Sequence, residues 1–326
     1  MMQVLPHLIF MSRAPIDQPM SIDTRESEGI DSTKEELGGL FTYEGTREIA
    51  DGIQFVKECI CGPPAYEADV DSLDWYEEGR AIHVSQNAYF IDDEKTLLFD
   101  TLTPVGDRVV VERLEELLDG RDLDYLVISH PEANHAGNTW EILEAFPEAT
   151  LVAPKRGSHH DLFEIDKDED MLVEDGDTID LGEHEVEFLE PVFYDHAMTV
   201  WMRETTSNTL FTVDFMGFEH MDGECMEFVD ELDSSVTSGR LERFNSYAFV
   251  WLRYADEDAV DDAIDRVKDE IDPSIIAPAH GQVIREDADE YLELMRDAIH
   301  NFCDIDPETY HVHTHTMRAG RQVDVV

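Results

Sequence analysis

The chain has 326 residues, and its 76 acidic residues outnumber its 23 basic residues to give a formal net charge of −53. This balance argues against nucleic acids and anionic membranes as partners, because both require basic patches. The acidic residues are spread along the whole chain and hydrophobic residues make up 42% of it, which favours a folded protein over a disordered one. Since molar salt shortens the Debye length to about 3 Å, the composition predicts an acidic, halophilic protein from a high-salt cytoplasm.

The N-terminal region differs from the rest of the chain. Residues 1–45 are polar without hydrophobic periodicity, which predicts a flexible extension ahead of one domain over residues 46–326. Residues 1–11 lack the basic start and the cleavage site of a signal peptide. No apolar run reaches the length of a membrane span. A cytoplasmic location is therefore expected.

Short apolar runs and helical patterns alternate through the remaining sequence. Their composition predicts strands at 52–57, 81–85, 87–92, 96–100, 123–129, 149–154, 185–190, 199–203 and 209–214. Helical spacing is predicted at 108–118, from residue 138 onward, and at 238–252, 256–271 and 287–301. Runs of strands followed by covering helices fit two packed sheets with helices outside.

The most informative segment follows the predicted strand 123–129. It reads HPEANH from His130 to His135 and places four side chains that can bind metal in the loop after a buried strand. Because Glu132 is two residues from His130, an extended or tightly turned loop can aim both groups at one point, with His135 close behind. Imidazole with carboxylate suits zinc or iron, and a site without thiolate suits oxygen chemistry at iron.

This segment resembles the His-x-Glu-x-Asp-His signature of flavodiiron proteins, a branch of the metallo-β-lactamase superfamily whose hydrolases usually carry His-x-His-x-Asp-His. Four further segments resemble the family in the same order, namely Gln86–Thr101, Asp177–Phe188, Leu210–Gly217 and Ile275–Arg285. The third contains Asp214 in the place of the bridging aspartate, and the fourth contains His280 in the place of the last histidine. The resemblance covers residues 47–291 and implies an α/β (α+β) fold, the metallo-β-lactamase-like αββα sandwich.

The resemblance also implies a non-haem iron site of one or two ions, with zinc as the alternative metal. Asp214 would bridge the two ions. His130 and Glu132 would serve one ion, and His135 with His280 would serve the other. The metal ligands carried over to this chain are His130, Glu132, Asn134, His135, Asp214 and His280.

Two positions depart from the family's pattern. Asn134 replaces an aspartate and offers only an uncharged amide oxygen. The third histidine falls on Phe193 when the segments are aligned on Met198, and on Tyr194 when they are aligned on Pro191. Neither phenylalanine nor a neutral tyrosine is an ordinary ligand. The candidate substitutes are the next two residues, Asp195 and His196. Each of the two metal positions thus lacks one protein ligand, so about one tightly held ion is expected. A site with a single metal and a site without metal both remain alternatives.

Three functions are compatible with this sequence. The first is a flavodiiron-like module that binds or reduces dioxygen or nitric oxide. Only about 46 residues follow His280, too few for the family's flavodoxin domain, so no flavin is expected on this chain and electrons would come from a separate flavodoxin-like or flavin reductase protein. The second is a metal-dependent hydrolase, against which Asn134 counts. The third is a degenerate scaffold or sensor, and a homodimer is expected in each case.

The remaining cysteines and histidines carry weaker signals. The four cysteines form no paired Cys-x-x-Cys framework, so they are interpreted as reduced thiols of a cytosolic protein; they are Cys59, Cys61, Cys225 and Cys303. No constellation is assigned to the remaining histidines, which are His7, His83, His184, His220 and His300.

Two further patterns allow minor alternatives. Lys155 and Arg156 form a short basic turn before His159 and His160, which is either a solvated loop or a docking point for an acidic partner. The segment 311–315 places three histidines on one face, which is either a surface tail or a metal-binding stretch.

Overall fold

The computed structural model of the protein describes residues 41–62, 75–77, 80–104, 109–156 and 170–303. The first strand begins at Phe41, so the expected boundary between residues 45 and 46 falls inside that strand. Residues 1–40 lie outside the described ranges, and the N-terminal extension stays a prediction. His159, His160 and the segment 311–315 also lie outside them.

The larger sheet contains eight strands, in the order β1-β2-β3-β4-β5-β6-β7 with β12 pairing to β3. The strands from β1 to β4 pair antiparallel, and those from β4 to β7 pair parallel. Their bounds are β1 (Phe41–Ala50), β2 (Ile53–Gly62), β3 (Ile82–Ile91), β4 (Leu97–Phe99), β5 (Tyr125–Val127), β6 (Thr150–Pro154), β7 (Met171–Val173) and β12 (His220–Met221).

The smaller sheet contains five strands in the order β13-β11-β10-β9-β8. Only β11 and β13 pair parallel among its described strands. The bounds are β8 (Thr178–Asp180), β9 (Glu185–Leu189), β10 (Trp201–Glu204), β11 (Thr209–Val213) and β13 (Ile275–Pro278).

Six α-helices lie within the described ranges. They are α1 (Val109–Leu118), α2 (Ala133–Ala136), α3 (Thr139–Ala145), α4 (Ser238–Ala248), α5 (Glu257–Arg266) and α6 (Ala288–Cys303). Two 3₁₀ turns, Val229–Glu231 and Val250–Tyr254, and one π turn, Val267–Ile271, accompany them. No helix in the part of the chain that the structure describes is long and apolar enough to cross a membrane.

The residues at the end of β3 show how the two sheets and the helices pack in layers. Side chains alternate across a strand, and here Tyr89 and Ile91 join the core between the two sheets whereas Ala88 and Phe90 join the core under α1. A strand buried on both faces reads as a continuous apolar run. Helices α1 and α3 therefore cover the larger sheet, and α4, α5 and α6 cover the smaller one. The predicted αββα sandwich is confirmed.

One element differs from its prediction in a way that bears on the site. The runs 81–85 and 87–92 form a single strand, β3. Gln86, which looked like an interruption, is buried and lies opposite Glu58 in the register of β2 and β3. Its side-chain oxygen accepts a hydrogen bond from the Thr103 hydroxyl, so the polar group is satisfied without breaking the strand.

The topology gathers loops at one edge of the molecule. Carboxyl ends of parallel neighbours meet at the same edge of a sheet, and β4, β5, β11 and β13 are such neighbours in their two sheets. Asp100 follows β4, His130 follows β5, Asp214 follows β11 and His280 follows β13. The sandwich therefore brings polar side chains from distant parts of the sequence to one place.

Candidate metal centre

Asp214 lies at the centre of this edge. Its Oδ1 atom is 3.1 Å from Nε2 of His135 and 3.1 Å from Nε2 of His280. One ligand atom each from His130, His135 and Asp214 lie within 4.8 Å of one another, and all three residues are buried. The structure thus brings together residues from three separate loops in a space that fits metal ions.

His130 forms the second half of the cluster. Its Nε2 atom lies 3.3 Å from Oδ2 of Asp195 and 4.0 Å from Oε2 of Glu132. The Asp195 side chain is almost fully buried, whereas the Glu132 side chain is half exposed. Imidazole and carboxylate groups therefore converge here as well.

Hydrogen bonds to the far ring nitrogens hold the three histidines in orientation. Nδ1 of His135 lies 2.7 Å from Oδ2 of buried Asp100, and Nδ1 of His280 lies 3.0 Å from the Ser85 carbonyl oxygen. Nδ1 of His130 lies 3.2 Å from the Ser129 hydroxyl. Such contacts at Nδ1 fix the tautomer and aim the Nε2 lone pair at a metal. Sequence reasoning missed Asp100, which follows a strand like the ligands but carries no motif of its own.

Unsatisfied atoms provide the test of whether the residues fit a metal. Nε2 of His130, Oδ2 of Asp195 and Oδ1 of Asp214 are buried, and despite their close contacts none of them makes a hydrogen bond of good geometry to another described residue. An unsatisfied buried polar atom costs about 1–3 kcal/mol, so three in one cluster need a common explanation. A cation between these atoms satisfies all of them at once, and the donor set fits iron or zinc.

The neighbouring charges shift the pKa values of His135 and Asp214. Burial disfavours the charged form of His135, but the Asp100 and Asp214 carboxylates outweigh it and raise the pKa of His135 to about 10. Burial also opposes ionisation of Asp214, yet His280 and His135 hold its pKa well below the usual range. A proton on His135 thus supplies positive charge to the metal-free centre.

Asn134 lies between two of the histidines. Its side-chain amide nitrogen is placed 2.8 Å from Nε2 of His135 and 2.9 Å from Nε2 of His280. The amide thus lies within hydrogen-bonding distance of both imidazoles. Its Oδ1 atom is the one that can bind a metal.

In the segment where the family has its third histidine, the side chains of Phe193 and Tyr194 lie outside the cluster. Phe193 stacks on Phe215 with ring centroids 4.6 Å apart and belongs to the core. The Tyr194 hydroxyl lies with Glu190 and Arg156 rather than with the cluster. Asp195 turns inward and its Oδ1 accepts a hydrogen bond from the Thr199 hydroxyl at 2.8 Å. Asp195, one of the two candidate substitutes for the missing histidine, therefore adds a buried carboxylate beside His130, and the assignment of the metal ligands stays a prediction.

His196, the other candidate substitute, also lies beside His130. The two rings stack with centroids 5.9 Å apart, and Nδ1 of His196 accepts a hydrogen bond from the Met198 backbone at 3.2 Å. Burial raises the pKa of Asp195, while the nearby His130 opposes that rise. Asp195 thus brings a carboxylate oxygen to His130, and neither alignment anchor indicated this because spacing does not fix side-chain direction in a loop.

Backbone strain marks the same edge. Val213, directly before Asp214, has φ of 57°, and Asp100 and Leu102 have φ of 65° and 62°. A β-branched residue in this region is a true outlier, and each such residue costs of order 1–3 kcal/mol. The strain lies where the loops turn their carboxylates towards the centre, which is common at functional sites.

The basic turn does not offer free charge for docking. The Lys155 ammonium lies 2.6 Å from a carboxylate oxygen of Glu174, and the Arg156 guanidinium lies 2.9 Å from Glu190. Both pairs are exposed, so they contribute little to stability. They nevertheless neutralise the turn, which weakens its interpretation as a site for an acidic partner.

Comparisons with known proteins agree with this geometry. Residues 82–212 match the model of the metallo-beta-lactamase superfamily. A nitric oxide reductase of Moorella thermoacetica is 25% identical over 237 residues, which are 69% of this chain and 57% of the relative. The diflavin flavoprotein A 1 of a Synechocystis species is 27% identical over 235 residues, which are 70% of this chain and 40% of the relative.

A solved structure gives the same result for the fold. The flavodiiron protein from Giardia intestinalis superposes with a TM-score of 0.60 at 21% identity, covering 80% of this chain and 60% of that one. The chain therefore has the metallo-β-lactamase fold. Its homologues are flavodiiron proteins, as the sequence motifs indicated. The chain spans less than two thirds of the length of these curated relatives.

The affinity of the centre for metal is expected to rise with pH. His135 has a folded pKa of about 10 against an ordinary value of about 6.5, so at neutral pH a metal must displace its proton. Affinity should then rise by about tenfold per pH unit between pH 7 and 9. The same proton stabilises the metal-free fold, fully so below about pH 6.5, and this contribution is lost as the pH rises towards 10.

Competition against a chromogenic chelator at each pH measures this dependence for zinc. Asp100→Asn is the matched variant, because removing that carboxylate lowers the pKa of His135 and should flatten the dependence. An affinity that does not change between pH 7 and 9 in the unaltered protein would contradict the assignment of the displaced proton.

Proposed function

We propose that the protein is a flavodiiron-like module that reduces dioxygen or nitric oxide at non-haem iron, with electrons from a separate flavoprotein. The observation that supports this most strongly is the buried cluster around Asp214, where three carboxylates and three histidines converge without a thiolate. Such a ligand set suits iron chemistry with oxygen. The name of one relative, a nitric oxide reductase, points to the same class of reaction.

The proposal assigns the ligands to two ions. His130, Glu132 and Asp195 hold one, and Asn134, His135 and His280 hold the other, while Asp214 is shared. When bound, the iron pair supplies the electrons and the coordination positions for the diatomic substrate. The protein orients the ligands through Asp100, Ser85 and Ser129, and it keeps the histidines out of water.

The charge of the ligand set supports a redox role. Asn134 removes one carboxylate relative to the family's pattern, and Asp195 adds one where the pattern has histidine. The total of three carboxylates is thereby kept, although it shifts towards the ion held by His130. Carboxylates stabilise a more highly charged metal, so this half of the centre should favour the oxidised state.

An exposed apolar surface close to the centre offers a place for the electron donor. Tyr247, Val250, Trp251 and Tyr254 are each more than two-fifths exposed and lie around the end of α4. The Trp251 indole donates a hydrogen bond to the Tyr194 carbonyl at 2.6 Å, directly beside Asp195. We assign this surface to a flavin-carrying protein, and the homodimer expected from the sequence belongs to the same proposal.

A consumption assay tests the function. The protein, kept in molar potassium chloride and loaded with ferrous iron without oxygen, is mixed with reduced nicotinamide cofactor, a flavin reductase and flavin mononucleotide. Nitric oxide consumption is measured with an electrode, because reduced flavin itself reacts with dioxygen. The expected result is consumption that Asp214→Asn abolishes and Tyr194→Phe leaves unchanged, since the tyrosine hydroxyl lies outside the cluster.

The runner-up functions give different results in the same preparation. A hydrolase would take zinc and cleave an ester or thioester in a reaction that Asp214→Asn removes, without consuming nitric oxide. A scaffold would bind neither iron nor zinc at the cluster. Either outcome would replace the proposed function.

A further inference from the structure

A second cluster of ligand-type side chains lies apart from the Asp214 centre. It contains Cys59, His83, His220 and Cys225, which are all buried, and one ligand atom of each lies within 4.8 Å of all the others. Sγ of Cys59 is 3.6 Å from Nε2 of His220. Sγ of Cys225 is 3.1 Å from Nδ1 of His83.

The strand register builds this cluster. His83 on β3 lies directly opposite His220 on β12, and the two rings are 5.7 Å apart between centroids. Cys59 on β2 lies opposite Ser85, two residues along β3 from His83, so the cysteine and histidine are diagonal neighbours on one face. Cys225 follows shortly after β12 and closes the group.

We propose that these four residues form a second metal site, which binds one zinc ion tetrahedrally in a structural role. With Zn–S of about 2.3 Å and Zn–N of about 2.0–2.1 Å, the sulfur and nitrogen of two tetrahedral ligands lie about 3.5 Å apart. The distances of 3.6 Å and 3.1 Å bracket this value. Two cysteines with two histidines form a common structural zinc ligand set, and four protein ligands leave no position for a substrate.

A neighbouring carboxylate also fits a zinc site at this place. Nε2 of His83 lies 3.8 Å from an Asp222 carboxylate oxygen, which matches the outer partner that zinc-bound histidines usually have.

The location of the cluster explains what the ion would do. It ties the segment from β12 to Cys225 onto the larger sheet. That segment also contacts the loop after β13, where the Gln282 amide donates to the Glu224 carbonyl at 3.2 Å. Ser85 on the same β3 strand accepts the His280 hydrogen bond at 3.0 Å. The zinc ion would therefore brace the framework that positions His280, whatever reaction the Asp214 centre performs.

Metal analysis of the whole protein in molar potassium chloride tests the proposal. One equivalent of zinc should be present in the unaltered protein, in Cys303→Ser and in Asp214→Asn. It should be lost in Cys59→Ser and in Cys225→Ser. Cys303 is the matched control because it is a buried cysteine outside the cluster, and Asp214→Asn separates this site from the catalytic centre.

A second measurement on the unaltered protein covers the case in which the cysteine variants do not fold. Cobalt(II) substituted for zinc should give a thiolate-to-cobalt charge-transfer band and the intense visible bands of a tetrahedral ion. Zinc that disappears only in Asp214→Asn, or cobalt without a thiolate band, would overturn the proposal. A Cys59–Cys225 disulfide detected by mass spectrometry after alkylation would also overturn it.

Discussion

Replacing Asp195 with asparagine is expected to lower the number of tightly bound ions at the Asp214 centre from two to one. The side chain keeps its shape in this variant but loses its charge. Partners that only support a ligand already change metal affinity by about 10–100-fold, so losing a charged ligand should weaken the ion at His130 and Glu132 by at least about that factor. Because its contacts place Asp195 beside His130, the ion held by His135 and His280 should stay bound. Calorimetric titration of the metal-free protein measures both steps.

Two further variants make this test specific. Asp195→His restores the residue type of the family's pattern and should keep two ions. Tyr194→Phe alters the neighbouring residue, whose hydroxyl contacts Glu190 and Arg156 outside the cluster, and should change neither step. Two unweakened ions in Asp195→Asn would show that Asp195 is not a ligand.

Removing salt is expected to unfold the protein. A net charge of −53 on 326 residues repels itself strongly, and the Debye length grows from about 3 Å at 1 M to about 10 Å at 0.1 M ionic strength. Self-repulsion over these distances destabilises the compact state. Circular dichroism should therefore show a native spectrum in molar potassium chloride and a cooperative loss of structure on dilution into salt-free buffer.

Screening of charge by salt can be distinguished from a general effect of solutes on the stability of the fold. Glycine betaine, which is zwitterionic, should not replace potassium chloride because it does not screen charge. Asp258 and Asp262 are exposed on α5, and replacing both with lysine should shift the folding midpoint to lower salt. A native spectrum that persists without salt in the unaltered protein would sink this explanation.

The fold was predictable because its signals are local. The apolar run in β3 and the helical spacing of α1 each report burial over a few neighbouring residues, and the order of motifs then selects one architecture. Similarly, His130, Glu132 and His135 share one short loop, so their convergence needed only a strand end. Asp214 and His280 were placed through resemblance, since nothing in their own spacing links them to that loop.

The remaining features depend on structure at longer range. Asp195 points inward because Phe193 is held in the core and Tyr194 is held by surface partners, and spacing alone does not encode this choice. Cys59 and His220 are 161 positions apart and meet only because β12 pairs with β3. No local pattern indicates that pairing, so the cysteines looked like isolated thiols and the histidines had no assigned role.

The most direct test of the central claim is whether two irons share Asp214. Metal-free protein in molar potassium chloride is titrated with ferrous iron without oxygen, partly oxidised, and measured by electron paramagnetic resonance. The expected result is two irons per chain with the signal of a magnetically coupled mixed-valent pair, because a shared carboxylate links the ions. Asp214→Asn should abolish that signal. One iron per chain, or two irons with only the signals of isolated ions, would contradict the account.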